Sequence, residues 1–229
     1  MKICSIRQPG YLPFLGFFKK IESVNRFVIF DDVQYSRGDW DNRNKIGSND
    51  GPLWLTVPIL NKSSKLLSDV EIDFSKKWIS KHCSTIEYNY KNSPFFDNYW
   101  NDIKRIINKP RKKLIDLNLD LINYFILVLE IKTEIILSSS LNIEESSSVK
   151  LLEICKKLKC DTYLSGELGK NYLDEKIFGD ENIKVIFEKF IHPTYNQKFT
   201  NFIPNLSIID LIFNEGENAR IILKNSKNY

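Results

Sequence analysis

The sequence predicts an α/β fold, a mostly parallel sheet with helices on both faces. Three observations predict it. Short β-branched runs recur near residues 3–6, 27–30, 134–137, 161–164 and 183–186. Helical patterns separate them. Strand, loop, helix and strand follow one another within the first thirty residues or so, a βαβ unit whose crossover is expected to be right-handed. At 229 residues the chain is read as one domain over 1–229, with a small inserted antiparallel and helical lobe at about 53–130.

Each element has its own signal. Residues 2–6 are compact and β-branched, a strand. Residues 8–16 carry Pro9, Pro13, Gly10 and Gly16, a turn. Phe17, Phe18, Ile21 and Val24 then recur at helical spacing. Residues 26–30 form a second strand ended by Asp31 and Asp32. Residues 33–50 lose all periodicity, and a polar loop that long is uncommon unless functional. Residues 53–57 and 70–74 read as short strands that pair antiparallel. Helices follow at about 76–90, 95–108 and 111–129, with Pro94 and Pro110 at good start positions. Residues 134–137 are a strand. The serines at 146–148 are expected to cap a helix whose Val149, Leu152, Cys155 and Leu158 face the core. Strands at 161–164 and 183–187 flank a turn at 165–170. Ser207 caps a last helix over 208–213, and Gly216 stops it.

Composition narrows the class. Hydrophobic content of 42% and charged content of 27% exclude disorder and fibrous repeats. The net charge of +4 is too weak to argue for nucleic acid. Cys4, Cys83, Cys155 and Cys160 show no CxxC and no zinc spacing. Reduced thiols and a cytoplasmic location are expected. No apolar run reaches about 18 residues, so no membrane span is expected, and the start lacks a signal-peptide pattern. Lys104, Arg105 and the basic run at 109–113 read as a solvated helix junction.

In open parallel sheets, ligands bind outside the carboxyl ends of the strands. Segments 8–16, 31–44 and 165–172 fall at such ends, and their convergence on one rim is the main argument for a site. The first leads into a helix N-terminus, whose N–H groups can hold phosphate or carboxylate. Gln8 offers an amide, Tyr11 a ring face and hydroxyl, and Gly16 closes the turn. In the second, Asp31 and Asp32 can hold magnesium or accept sugar hydroxyls. As sequence neighbours they point apart, so one at most faces the site. Gln34 and Tyr35 follow, then Asn42, Arg43 and Asn44. Arg43 can grip a phosphate or carboxylate bidentately, with the asparagines orienting it. In the third, Ser165, Gly166, Lys170 and Tyr172 form a strand-end turn.

His82 is one of two histidines. It is read either as a general base or as a helix histidine paired with Glu or backbone. Cys83 reads as a packing residue and His192 as structural. The chain has no G-x-x-x-x-G-K-[ST], no G-x-G-x-x-G and no G-x-S-x-G, so P-loop, dinucleotide-binding and α/β-hydrolase readings lose support.

Several stretches together resemble the WbqC-like family. They are residues 6–18 (from Ile6-Arg-Gln-Pro-Gly-Tyr to Phe18), 27–35 (ending Asp-Asp-Val-Gln-Tyr35), 42–46 and 54–58. Trp78 with Lys81 and His82, 163–166 with 172–174, 195–197 and 207–216 complete the set. The resemblance runs from about residue 2 to 216. It implies a setting among bacterial surface-polysaccharide genes, such as those for the O-antigen of lipopolysaccharide. It also implies transfer of glycine, or a related acyl group, to an amino sugar. Before Gln8, where many members carry histidine, this chain has Arg7, so no imidazole is available there. The first unit also resembles the strand–loop–helix of nucleotidyltransferase-like folds, without their paired histidines.

The expected activity is therefore transfer of a glycyl or other acyl group to the amine of a nucleotide-linked amino sugar. His82 is the expected base, with Asp32 as second candidate, and Arg43 holds phosphate or donor carboxylate. Gln8, Tyr11 and Asn42 orient the substrate. No residue is assigned to a metal, and the cofactor is open. An adenylating version would use ATP and magnesium, with Asp31 or Asp32 as a ligand. Nucleic acid enters only as a charged tRNA donor. The rivals are a non-catalytic module that binds nucleotide-sugar or tRNA, and glycosyl transfer.

Overall fold

The computed structural model describes residues 1–36, 38–60 and 66–228. Strand β1 (Ile3–Arg7) leads through a tight loop into helix α1 (Leu15–Glu22) and strand β2 (Arg26–Ile29). Two small antiparallel pairs follow, β3 (Arg43–Ile46) with β4 (Leu53–Thr56), and β5 (Ile59–Leu60) with β6 (Glu71–Ile72). Helices α2 (Trp78–Tyr90), α3 (Phe96–Asn108) and α4 (Leu114–Val128) come next. The chain then re-enters the main sheet as β7 (Glu134–Leu137), α5 (Ser147–Lys157), β8 (Thr162–Gly166), α6 (Glu175–Asp180) and β9 (Lys184–Glu188). It ends in β10 (Phe190–Ile191), α7 (Ile208–Glu215), α8 (Asn218–Asn225) and β11 (Lys227–Asn228), which pairs antiparallel with β10.

The main sheet is five-stranded and parallel throughout, in the order β7-β2-β1-β8-β9. Strand order reverses at β1, with β2 and β7 on one side and β8 and β9 on the other. A crevice therefore opens at the carboxyl ends of β1 and β8, where the connections leave in opposite directions.

The period of two along each strand divides the core in two. Phe27, Ile29 and Leu164 face a layer containing Phe18 and Ile21 of α1, Phe125 of α4 and Ile212 of α7. Cys4, Ile6, Val28 and Tyr163 face the other layer, with Leu152 and Cys155 of α5 and Phe178 of α6. The α/β class with helices on both faces is thus the observed one. All four cysteines are free thiols. Among the described residues, no helix is long and apolar enough to cross a membrane.

Four local expectations need correction. Residues 53–56 pair with 43–46, not with 70–74. The partner strand was hidden because one of its core-facing residues is Asn44, whose Nδ2 donates to the Leu12 carbonyl at 2.6 Å. A hydrogen-bonded asparagine is a poor hydrophobic signal. Helix α1 starts at Leu15, two residues before the first periodic phenylalanine. Val149 is exposed, because the buried stripe of α5 runs through Ser148, Leu151, Leu152 and Cys155, the i, i+3, i+4, i+7 set. Ser146 sits at the N-cap without a side-chain cap bond. Instead, the Ser148 hydroxyl accepts from the Asp174 N–H at 3.0 Å. Ser207 does cap α7, and Gly216 ends it at φ +56°. A Cβ on Gly216 would sit 2.6 Å from the Phe95 ring.

Candidate functional site

A cavity of about 710 Å³ opens at the carboxyl edge of the sheet. Arg7 and Gln8 come from the end of β1, and Asp32 and Gln34 from the segment after β2. Residues 146–148 and Lys150 come from the start of α5, and Tyr172 from the turn after β8. A smaller cavity of about 110 Å³ shares Arg7 and Gln8 with it and is also lined by Asp39, Trp40, Asp41 and Asn44. The two cavities therefore meet at the end of the central strand.

Arg7 is the unusual group. Its guanidinium lies 5.7 Å and 5.9 Å from the ring centroids of Phe14 and Phe17. Among the described residues it has no carboxylate within the 4.0 Å of an ion pair. Burial holds its pKa below the ordinary guanidinium value, and Asp39 offsets this in part. A cation kept in an apolar setting without a fixed partner is ready for an anion. Lys20 and Glu188 lie behind it, with Nζ 2.7 Å from Oε1 and side chains 4% and 7% exposed. Burial and the Arg7 charge pull the Lys20 pKa down.

Asp31 and Asp32 do not point apart as expected: past the end of β2 the two-residue alternation no longer holds, and the two differ in burial instead. Asp31 is buried and accepts from the N–H and hydroxyl of Ser139 at 2.9 Å and 2.6 Å. Asp32 faces the cleft, paired with Lys150 at 2.8 Å. Ser138 Oγ is within hydrogen-bond reach of both carboxylates. Backbone strain also gathers here. Leu12 and Ser147 hold φ values of +46° and +53°, a region that costs an ordinary residue about 1–3 kcal/mol.

The motif stretches noted in the sequence agree with a family model. The model described as the WbqC-like protein family matches residues 8–222. The chain belongs to the WbqC-like protein family. A relative from Mycobacterium tuberculosis, the uncharacterized protein Rv1507c, is 31% identical over 223 residues, covering 96% of each chain. No solved structure matches.

The site residues expected from the sequence divide into two groups. Gln8, Asp32, Gln34, Asn44 and Tyr172 line the cavities. Tyr11, Gly16, Tyr35, Asn42, Arg43, His82, Ser165, Gly166 and Lys170 line neither cavity. His82 is buried against Tyr11, with Nδ1 3.1 Å from the Tyr11 hydroxyl and the Trp78 ring at 5.2 Å. Burial lowers its pKa to about 4, so it stays neutral at physiological pH. Arg43 donates to the Gly38 carbonyl and stacks 4.4 Å from the Trp54 ring centroid.

Other motif residues brace the loops. The Tyr35 hydroxyl donates to Asn42 at 3.0 Å, and Asn42 donates to the Val57 carbonyl at 2.7 Å. A Cβ on Gly16 would lie 2.5 Å from the Phe14 ring, so that glycine serves the packing at the start of α1. Gly166 starts a 3-10 turn, and Ser165 packs under Gly169. Lys170 lies 5.6 Å from the Phe187 ring. Among the described residues, no group of three or more His, Cys, Asp or Glu side chains is placed to hold a metal ion.

The sequence reading missed Arg7 as a ligand group, Lys150, the serines at the start of α5, and Asp41. Arg7 was visible as the last strand residue before the loop. Asp41 lies within the 31–44 loop already expected at the rim, whereas Lys150 and the serines reach it only through the fold. Asp41 is buried in the smaller cavity, and burial and the Asp39 charge push its pKa up to about 7. Because this value lies above the ordinary 3.8, the stability of the protonated form is present at low pH. It is lost as pH rises through about 7. Asp41→Asn is expected to match the wild type near pH 4 and to exceed it at pH 8 by roughly 3 kcal/mol. Urea unfolding at the two pH values tests this, and an equal difference at both refutes it.

Proposed function

We propose that this WbqC-like protein transfers a glycyl or related acyl group to the amine of a nucleotide-linked amino sugar. The sugar belongs to the class used to build bacterial surface polysaccharides. The observation that carries the reading is Arg7, a cation without a paired carboxylate among the described residues, at the junction of two cavities and suited to a diphosphate. The larger cavity is of a size for a sugar and an acyl donor together. Asp32 faces it with Glu144 and Glu145, a carboxylate set suited to an ammonium.

In this reading Arg7 holds the phosphates and Gln8 orients them. Asp32 takes over the base role first considered for His82, because His82 faces packed interior. The amine nitrogen attacks the acyl carbonyl and a C–N bond forms. The bond from that carbon to the donor's oxygen or sulfur breaks, and the amine proton passes to Asp32. Lys150 and the N–H groups at the start of α5 stabilise the oxyanion in between. The donor is an activated acyl group, as an aminoacyl ester, a thioester or an acyl adenylate made with ATP.

The test incubates the protein with UDP- and dTDP-amino sugars and activated glycyl donors, and reads acceptor mass. The expected result is a sugar nucleotide one glycyl residue heavier. Asp32→Asn is expected to lower turnover about 100-fold or more with affinity largely kept. Unchanged turnover in that variant, or no mass gain with any pair, overturns the reading. A non-catalytic module would bind the sugar nucleotide and leave its mass unchanged.

A further inference from the structure

The β3–β4 hairpin carries an aromatic surface that the acyl-transfer chemistry does not use. Pairing in register puts Lys45 opposite Trp54 and Arg43 opposite Thr56, on the face away from the core. Trp40 comes over the same face, its ring centroid 5.3 Å from that of Trp54. The two indoles are 43% and 44% exposed, unlike Trp78 and Trp100 at 5% each. Arg43 lies 4.4 Å and Lys45 4.9 Å from the Trp54 centroid. The Trp40 carbonyl accepts from the Tyr11 N–H at 3.2 Å, which ties the patch to the β1 loop. Trp40 also lines the smaller cavity with Arg7.

Two accessible indoles flanked by two cations suit a flat π-ring that carries negative charge. A neutral sugar would use the ring faces but not the cations. A purine or pyrimidine attached to phosphate uses both. We propose that Trp40 and Trp54, with Arg43 and Lys45, form a nucleobase-stacking subsite whose ligand extends its phosphate to Arg7. This deepens the proposed function, on which the phosphate position rests. Arg43 and Lys45 lie beside the base and draw on the negative charge of the phosphate that leads from it to Arg7. The same chemistry is presented by a free nucleotide and by a single-stranded RNA end.

The test compares UMP, AMP and ribose 5-phosphate by calorimetry and tryptophan emission. Wild type is expected to bind the nucleotides about tenfold or more tighter than the base-free phosphate. Emission should be quenched, and that change reports on Trp40 and Trp54 because the other two indoles are buried. Trp54→Leu should abolish the preference and reduce the quenching to the part carried by Trp40, while keeping its thermal midpoint. Equal affinity of wild type for UMP and ribose 5-phosphate overturns the subsite. Arg7→Gln separates the two ideas. If it weakens all three ligands in parallel, the phosphate position stands whatever the base preference. If it changes none, that position fails while the stacking result is judged alone. A short single-stranded RNA that binds much tighter than UMP identifies a nucleic-acid end as the source of the base. Equal binding identifies a free nucleotide.

Discussion

Arg7→Gln is expected to weaken UDP binding about 100-fold while leaving the ligand-free protein as stable as the wild type or more so. Charge-assisted contacts contribute about 1.5–3 kcal/mol, and each 1.4 kcal/mol is tenfold in affinity. The opposite sign on stability follows from the position of the guanidinium. It sits against Phe14 and Phe17 without an ion pair among the described residues, so folding bears a desolvation that Asp39 offsets only in part. A neutral amide removes that cost. Calorimetric titration with UDP and thermal unfolding of the free protein check the two halves. A variant that binds UDP as the wild type does would show that Arg7 is not the anion clamp. A variant that loses binding only because it unfolds would show a structural arginine. Loss of binding with retained stability marks a group kept for a ligand.

Glu188→Gln has the largest expected effect on folding. Its carboxylate is 2.7 Å from the Lys20 ammonium, and both side chains are almost fully enclosed. Breaking one member of such a pair leaves a buried charge uncompensated, a loss of about 3–5 kcal/mol. For a chain of this length that lowers Tm by roughly 10 °C. Replacing both partners, as Lys20→Met with Glu188→Leu, is expected to recover most of the loss, since the desolvation of both charges disappears together. A single variant within about 2 °C of the wild type would show that the pair is not energetically coupled. The pair also bears on the cleft. A Cβ on Gly166 would lie 3.5 Å from Lys20 Nζ, so the ammonium rests against the end of β8, and its charge acts on Arg7. The double variant removes both charges and keeps the net charge near Arg7 unchanged, so it is expected to leave the potential at the anion position close to that of the wild type.

Much of the architecture was legible because it depends on local pattern. The five strands of the parallel sheet and their helical spacers repeat hydrophobic periods that survive any tertiary arrangement. The Ser207 cap and the Gly216 stop were readable for the same reason, since each satisfies backbone geometry within one turn. Strand β3 was not, because its inward residue Asn44 earns its place through one hydrogen bond to the Leu12 carbonyl. No window of sequence contains both partners.

The site divides along the same line. The sequence by itself determined that loops after β1, β2 and β8 meet on one rim, because a parallel sheet places all carboxyl ends on one side. Only the tertiary structure decided which motif residues reach the cleft. It turned Tyr11 and His82 inward as a buried pair and sent Arg43 to stack on Trp54. It brought Lys150 from more than a hundred residues away to within 2.8 Å of Asp32. Local pattern records which atoms a short segment needs for itself. Which distant charge faces which cavity depends on strand order, and strand order follows from how the whole hydrophobic surface is buried.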